Sequence, residues 1–224
     1  MTIDKPKAII FDMIETVFAL APVRGDLMRL GLASGDLETW FAFGLRDAFT
    51  LDATGSIAPF PDILKGALAQ LLAIRGLPSP EMETRAVFET MKALPAHADA
   101  RAALELLAKT GIPLYALSNG ARASTANLLD KAGLGDFFAR ILSVETVGRF
   151  KPNRTVYEHG IASTGEAAAD VMMIATHAWD THGAKAAGMR AAFVARGQAY
   201  PAAMLPPDLT GAELTDVARL IADL

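Results

Sequence analysis

The sequence predicts an α/β fold, a parallel sheet covered by helices on both faces and interrupted once by a helical insertion. Three observations carry that reading. An unbroken apolar run from Ala8 to Phe11 closes on Asp12, as a strand buried on both faces of a parallel sheet does. From Pro95 onward, strand-like and helix-like segments alternate regularly, the pattern of crossover units in a parallel sheet. Between Pro22 and Pro95, apolar residues instead recur at spacings of three and four, with almost no strand-like alternation.

Each element follows in turn. The first strand is the run ending at Asp12. The insertion carries Leu27, Leu30, Leu37, Trp40, Phe41, Leu45, Phe49, Ile63, Leu64, Leu68 and Leu71 at helical spacing. Turn residues break it near Gly31–Gly35, Ala58–Pro61 and Gly76–Pro80. After it the sequence predicts a helix over Asp99–Lys109 ending at Gly111, then a strand Leu114–Leu117 running into Ser118, Asn119 and Gly120. A helix over Ala121–Ala132 with Gly133 as its cap precedes a strand Ala139–Val144. Lys151 and Pro152 lead into a helix Asn153–Ala162, and Val171–Thr176 is a further buried strand. A helix through Ala187, a strand Arg190–Val194 and a closing helix Ala212–Leu224 complete the chain. The expected division is a core of residues 1–18 and 96–224 and a helical cap of residues 19–95.

Composition narrows the function. Hydrophobic residues make up 52% of the 224 and charged residues 21%, enough apolar side chain for a large core. The net charge is −4 with no basic stripe, which argues against nucleic acid and anionic membranes as partners. The absence of cysteine removes thiol catalysis, thiolate metal sites and disulfides. No apolar run reaches membrane-spanning length, and no basic stretch followed by an apolar segment marks the N-terminal residues. The expectation is a cytoplasmic protein acting on a small molecule.

The chemistry lies in where the unusual polar residues fall. Asp12 and Thr16, then Ser118 and Asn119, then Lys151, then the group from Thr176 to Asp180, each follow a strand or precede its helix. Each has a plain explanation by itself. Asp12 suits a turn, the Ser-Asn pair a helix cap, Lys151 a solvated loop and Asp180 the first turn of a helix. Together they set a carboxylate nucleophile, hydroxyl and amide donors, a cation and a second carboxylate around one crevice.

That order of motifs resembles the haloacid dehalogenase superfamily over essentially the whole chain, and within it the type II L-2-haloacid dehalogenases. Asp12 matches the nucleophile, Thr16 its accompanying threonine, Ser118-Asn119 the second motif, Lys151-Pro152 the third and Asp180 the fourth. The resemblance implies a Rossmann-like core with a helical cap and a homodimer. Phosphatases of the superfamily carry an aspartate two residues after the nucleophile, where this chain has Ile14, and a second acid in the fourth motif, where it has Thr176. Losing a hard anionic ligand weakens a Mg²⁺ site, so neither a metal nor another cofactor is expected.

The resemblance implies instead that Asp12 attacks the halogen-bearing carbon of a short 2-haloacid, forms an ester and is regenerated by water, releasing a 2-hydroxyacid. Lys151 would orient the carboxylate, and Asp180 would position or activate the water. Ser118, Asn119 and the amides near Met13 and Ile14 would hold the substrate carboxylate. Tyr157 matches an active-site tyrosine, although a tyrosine on a helix most often packs. Some positions depart from the family. Phe41 follows Trp40 where the dehalogenases have a halide-binding arginine, Glu15 replaces a glycine, Ala175 a serine and His177 an asparagine. Arg46 is the nearest cation on the same helix and is expected to take over the halide. His177 is open to three readings, as donor to halide, as base or as a helix cap. Two functions stay open: a metal-independent dehalogenase, or a diverged protein that hydrolyses or only binds another small carboxylate.

Overall fold

The computed structural model of the chain describes residues 4–224, so residues 1–3 of the expected core lie outside the description. Strand β1, Ala8–Phe11, is wholly buried because both faces of the sheet are covered. Four helices follow: α1 (Val23–Arg29), α2 (Asp36–Ala53), α3 (Phe60–Ile74) and α4 (Glu81–Met91). The remainder alternates as expected: α5 (Ala100–Ala108), β2 (Leu114–Ser118), α6 (Arg122–Ala132), β3 (Phe138–Ser143), α7 (Arg154–Thr164), β4 (Val171–Ala175), α8 (Ala178–Ala186) and β5 (Arg190–Val194). The last elements are β6 (Leu209–Gly211) and α9 (Leu214–Ala222).

The six strands run parallel in the order β3-β2-β1-β4-β5-β6. Strand β6 has no counterpart in the sequence reading. It has three residues and follows a stretch rich in proline and turn residues, too short for a periodicity to register. The order changes direction at β1, whose neighbours are β2 on one side and β4 on the other. Connections leaving β1 and β4 therefore diverge, and a crevice opens at their carboxyl ends.

Helices α2 and α3 pack closely beside that crevice. Trp40 of α2 is fully buried and donates its indole N–H to the Leu64 carbonyl at 2.9 Å. Gly44 permits the approach, since a Cβ there would collide with the Leu64 side chain. The far end of α2 is fastened to the core. Asp52 accepts from Arg149 Nε and the Phe150 amide at 2.9 Å each, and from Asn153 Nδ2 at 2.8 Å. No helix among the described residues is long and apolar enough to cross a membrane.

Candidate active site

The crevice at the β1, β2 and β4 ends holds a cavity of about 510 Å³. Asp12, Ile14, Ser118, Asn119 and His177 line its floor. Phe41, Leu45, Phe60, Leu64, Phe88 and Met91 form its roof, and α6 supplies one side through Ser124 and Leu128. It opens to solvent past Lys92 and Lys131, both exposed.

Behind Asp12 lies a buried polar cluster. Lys151 is fully buried and places its ammonium 2.9 Å from Asp12 Oδ1, 2.6 Å from Asp180 Oδ2 and 3.0 Å from the Leu117 carbonyl. All three ammonium hydrogens thus have acceptors, which such deep burial of a charge requires. Thr16 Oγ1 donates to Asp12 Oδ2 at 2.9 Å and accepts from the Thr176 amide at 3.0 Å, tying the loop after β1 to the end of β4. His177 Nδ1 lies 3.1 Å from the same Oδ2. Burial by itself would raise the Asp12 carboxyl, but the Lys151 charge and then the His177 hydrogen bond outweigh it and hold Asp12 well below the usual carboxylate range. Burial would likewise lower Lys151, and the two carboxylates more than reverse that.

Asp180 does not face the cavity. It has no exposed surface, and its oxygens are taken by Lys151 and by the Tyr157 hydroxyl at 2.7 Å. Burial raises its carboxyl despite the Lys151 charge, and burial also pushes Tyr157 well above its ordinary value. Gly183 makes the tyrosine contact possible, since a Cβ there would lie 2.5 Å from the Tyr157 hydroxyl. The expectation that Asp180 works on water is therefore corrected: it anchors Lys151 and Tyr157.

Asn119 lines the floor, but its Oδ1 accepts from the Lys151 amide at 2.9 Å and its Nδ2 points to the Lys151 carbonyl at 3.5 Å. Its side chain fixes the lysine's backbone. Ser118 Oγ accepts from the Gly120 amide at 2.9 Å, which keeps its own hydrogen available to a ligand. Met13 is buried, and the amides of Met13 and Ile14 have no acceptor among the described residues. Glu15 adopts a left-handed backbone, φ 65°, a conformation that favours glycine. Its carboxylate turns back to the Leu20 amide and stays out of the cavity lining.

Arg46 is the clearest correction. It is exposed, donates to Asp47 at 2.8 Å and Gln70 at 2.6 Å, and stacks on Phe43 with 4.6 Å to the ring centre. The cavity stripe of α2 is Phe41 and Leu45, continued by Phe49, which packs on Trp179. At about 100° per residue, Arg46 falls on the side opposite the buried Trp40, Gly44 and Ala48. The roof residues of α3 and α4 also escaped the sequence reading. Of these only Leu64 belongs to the helical pattern read in the sequence, and which turn faces Asp12 depends on how the helices pack.

The donor set around Asp12 does not fit a divalent metal. Both Asp12 oxygens and both Asp180 oxygens are occupied by protein donors, Lys151 stands between the carboxylates, and Thr176 Oγ1 donates to the Val194 carbonyl at 2.8 Å.

The chain is similar to known proteins in sequence and in fold. The family model for haloacid dehalogenase-like hydrolases matches residues 6–188. Haloacetate dehalogenase H-2 of Moraxella sp. (strain B) is 26% identical over 221 residues, covering 97% of this chain and 99% of the relative. The (S)-2-haloacid dehalogenase of Xanthobacter autotrophicus is 30% identical over 192 residues, 85% of this chain and 75% of the relative. A solved L-2-haloacid dehalogenase from Xanthobacter autotrophicus superposes with a TM-score of 0.88 at 25% identity, covering 96% of this chain and 98% of that one.

Proposed function

The chain belongs to the haloacid dehalogenase-like hydrolases, and from that premise we propose that it is a metal-independent dehalogenase of 2-haloacids. The observation that carries this reading is the buried Lys151 ammonium between Asp12 and Asp180, at 2.9 and 2.6 Å. It holds Asp12 ionised at the floor of a largely apolar cavity whose two lining lysines, Lys92 and Lys131, are exposed. A desolvated carboxylate in such a place is a competent nucleophile for carbon. Its low proton affinity is compatible with that task, because the substrate carbon already carries a good leaving group.

The substrate carboxylate is held by the Ser118 hydroxyl and the Met13 and Ile14 amides. Asp12 lines the cavity; its Oδ1 is held by the buried Lys151, while its Oδ2 accepts from Thr16 and lies beside His177. Oδ2 therefore attacks C2, the carbon–halogen bond breaks, and an Asp12 ester and halide result. Water then attacks the ester carbonyl carbon and releases the 2-hydroxyacid. The helices over residues 19–95 act as a cap that carries the apolar roof. By resemblance alone, we read the protein as a cytoplasmic homodimer, which light scattering and cell fractionation test.

One observation favours a second reading. Among the described residues no arginine lines the cavity, and its other cations, Lys92 and Lys131, sit at the open rim. A site without a cation over C2 suits a carboxylate substrate whose leaving group is not a halide. Halide release from 2-chloro- and 2-bromopropionate, with chelator present, separates the two. Single turnover in isotopically labelled water should place the label on Asp12. Release of unlabelled Asp12 with labelled product would overturn the ester mechanism.

A further inference from the structure

We infer that His177 is the general base and acid that hydrolyses the Asp12 ester, a role resting on the ester mechanism just proposed. The first ground is access. Asp180 has no exposed surface and both its oxygens are engaged, by Lys151 at 2.6 Å and Tyr157 at 2.7 Å, so it presents no surface to the cavity. Ser118 Oγ already accepts from the Gly120 amide. His177 both lines the cavity and touches Asp12, at 3.1 Å.

The second ground is direction. In an in-line displacement the halide leaves from the side of C2 opposite the attacking oxygen. His177 Nδ1 sits on the attacking Oδ2 itself, so it stands beside the nucleophile and away from the departing halide. Its ring is fixed there by stacking on Phe41, 6.0 Å between centres, and on Trp179, at 5.2 Å. It lies against Asp12, behind which stand Lys151 and Asp180, and α2 presents Phe41 and Leu45 to the cavity.

The steps balance as follows. In the resting enzyme the Asp12 carboxylate draws the imidazole proton to Nδ1. Esterification removes that charge, the proton moves to Nε2, and Nδ1 becomes an acceptor. Water adds to Cγ of Asp12, giving one proton to Nδ1, and the carbonyl electron pair moves onto Oδ1 against the Lys151 ammonium. The intermediate collapses, the Cγ–Oδ2 bond breaks, and Oδ2 leaves with the product, taking the proton from Nδ1. The second water proton, left on the new carboxyl, passes to solvent and restores the Asp12 carboxylate.

The test is a pre-steady-state comparison of the wild type with His177→Gln and His177→Leu, using 2-bromopropionate, with thermal melts to verify folding. Removing a positioned acid–base group typically costs about 10²–10⁴ in rate. Each variant should release one halide per site in a burst, then turn over about 10²–10⁴-fold more slowly. Mass spectrometry should find the ester accumulated on the peptide containing Asp12. Added imidazole should speed breakdown of that ester in a His177→Ala variant. Loss of the halide burst itself would assign His177 to the displacement and overturn the inference, as would near-normal turnover in both folded variants. A wild type that releases no halide and forms no adduct would overturn the dehalogenase reading first, and this inference with it.

Discussion

The floor and the roof of the cavity are built on different physical terms. At and behind the floor, Asp12, Thr16, Lys151 and Asp180 are buried polar groups, each fixed by partners whose loss would leave a desolvated charge or dipole. In the roof, Phe41, Leu45, Phe60, Leu64, Phe88 and Met91 are apolar, held by packing that tolerates exchange of one hydrophobic side chain for another. Chemistry should therefore be brittle at the floor, while substrate size should be set at the roof.

The largest expected effect breaks the floor at its centre. Asp12→Asn keeps the shape and removes the nucleophile, so kcat should fall by on the order of 10⁴ or more, since groups acting as a unit fail together. Steady-state halide release measures it, and a modest loss would mean that Asp12 does not form the ester. Next is Lys151→Met, which leaves Asp12 and Asp180 buried without their shared cation. Breaking a buried pair in this way costs about 3–5 kcal/mol. Denaturant unfolding should show that loss together with lost turnover.

The floor was largely legible in the sequence because a residue just past a parallel strand has little choice of location. Once the apolar runs ending near Asp12, Ser118 and Thr176 are read as neighbouring strands, their polar successors must meet. Lys151 was placed by its motif, and its three acceptors explain how it stays charged there. The division of labour among these residues was not legible. That Asp180 and Asn119 spend their polar atoms on Lys151 depends on distances no pattern states. The roof was legible only as helices, because a helix offers every azimuth and only its neighbours decide which one is covered. The short β6 failed for a different reason, having too few residues to carry a pattern.

The joint between roof and floor gives a smaller effect. Asp52 fastens the end of α2 to the loop before Lys151 through Arg149, Asn153 and the Phe150 amide. Burial opposes its ionisation, but the Asn153 and Arg149 hydrogen bonds prevail and lower its carboxyl. A carboxyl lowered in the fold adds stability that is full above its unfolded value, about 3.9, and is lost as pH falls through the lower folded value. Asp52→Ala should cost about 1–3 kcal/mol at neutral pH, from the partners left unsatisfied. Melts recorded down to pH 3 should bring the two proteins together only at the acid end; a constant gap would mean that the charge is irrelevant.

The roof predicts a graded preference. A cavity of about 510 Å³ is far more than a two- or three-carbon acid fills. Each buried methylene contributes about 0.8 kcal/mol, so kcat/KM should rise roughly fourfold per added carbon from 2-bromopropionate towards 2-bromohexanoate. Met91→Trp should flatten that rise without lowering the rate on the shortest acid. A preference for the shortest acid in the wild type would show that the cavity closes further around its substrate.

Arg46 is the smallest effect and the sharpest test of the contrast. As the nearest cation on the same expected helix it was the natural replacement for a missing halide-binding arginine, and in that role its loss would cost about 10²–10³ in rate. The fold puts it on the outer face of α2, where it joins Gln70 of α3 and Asp47 and lies on Phe43. Exposed pairs of this kind contribute about 1 kcal/mol or less. Arg46→Ala should therefore leave kcat and KM for 2-bromopropionate unchanged and lower the midpoint of unfolding only slightly. A hundredfold loss of halide release from a folded Arg46→Ala protein would mean that α2 rotates in the working enzyme, bringing its outer face over Asp12. The roof would then take part in the chemistry, and the contrast with the floor would fail.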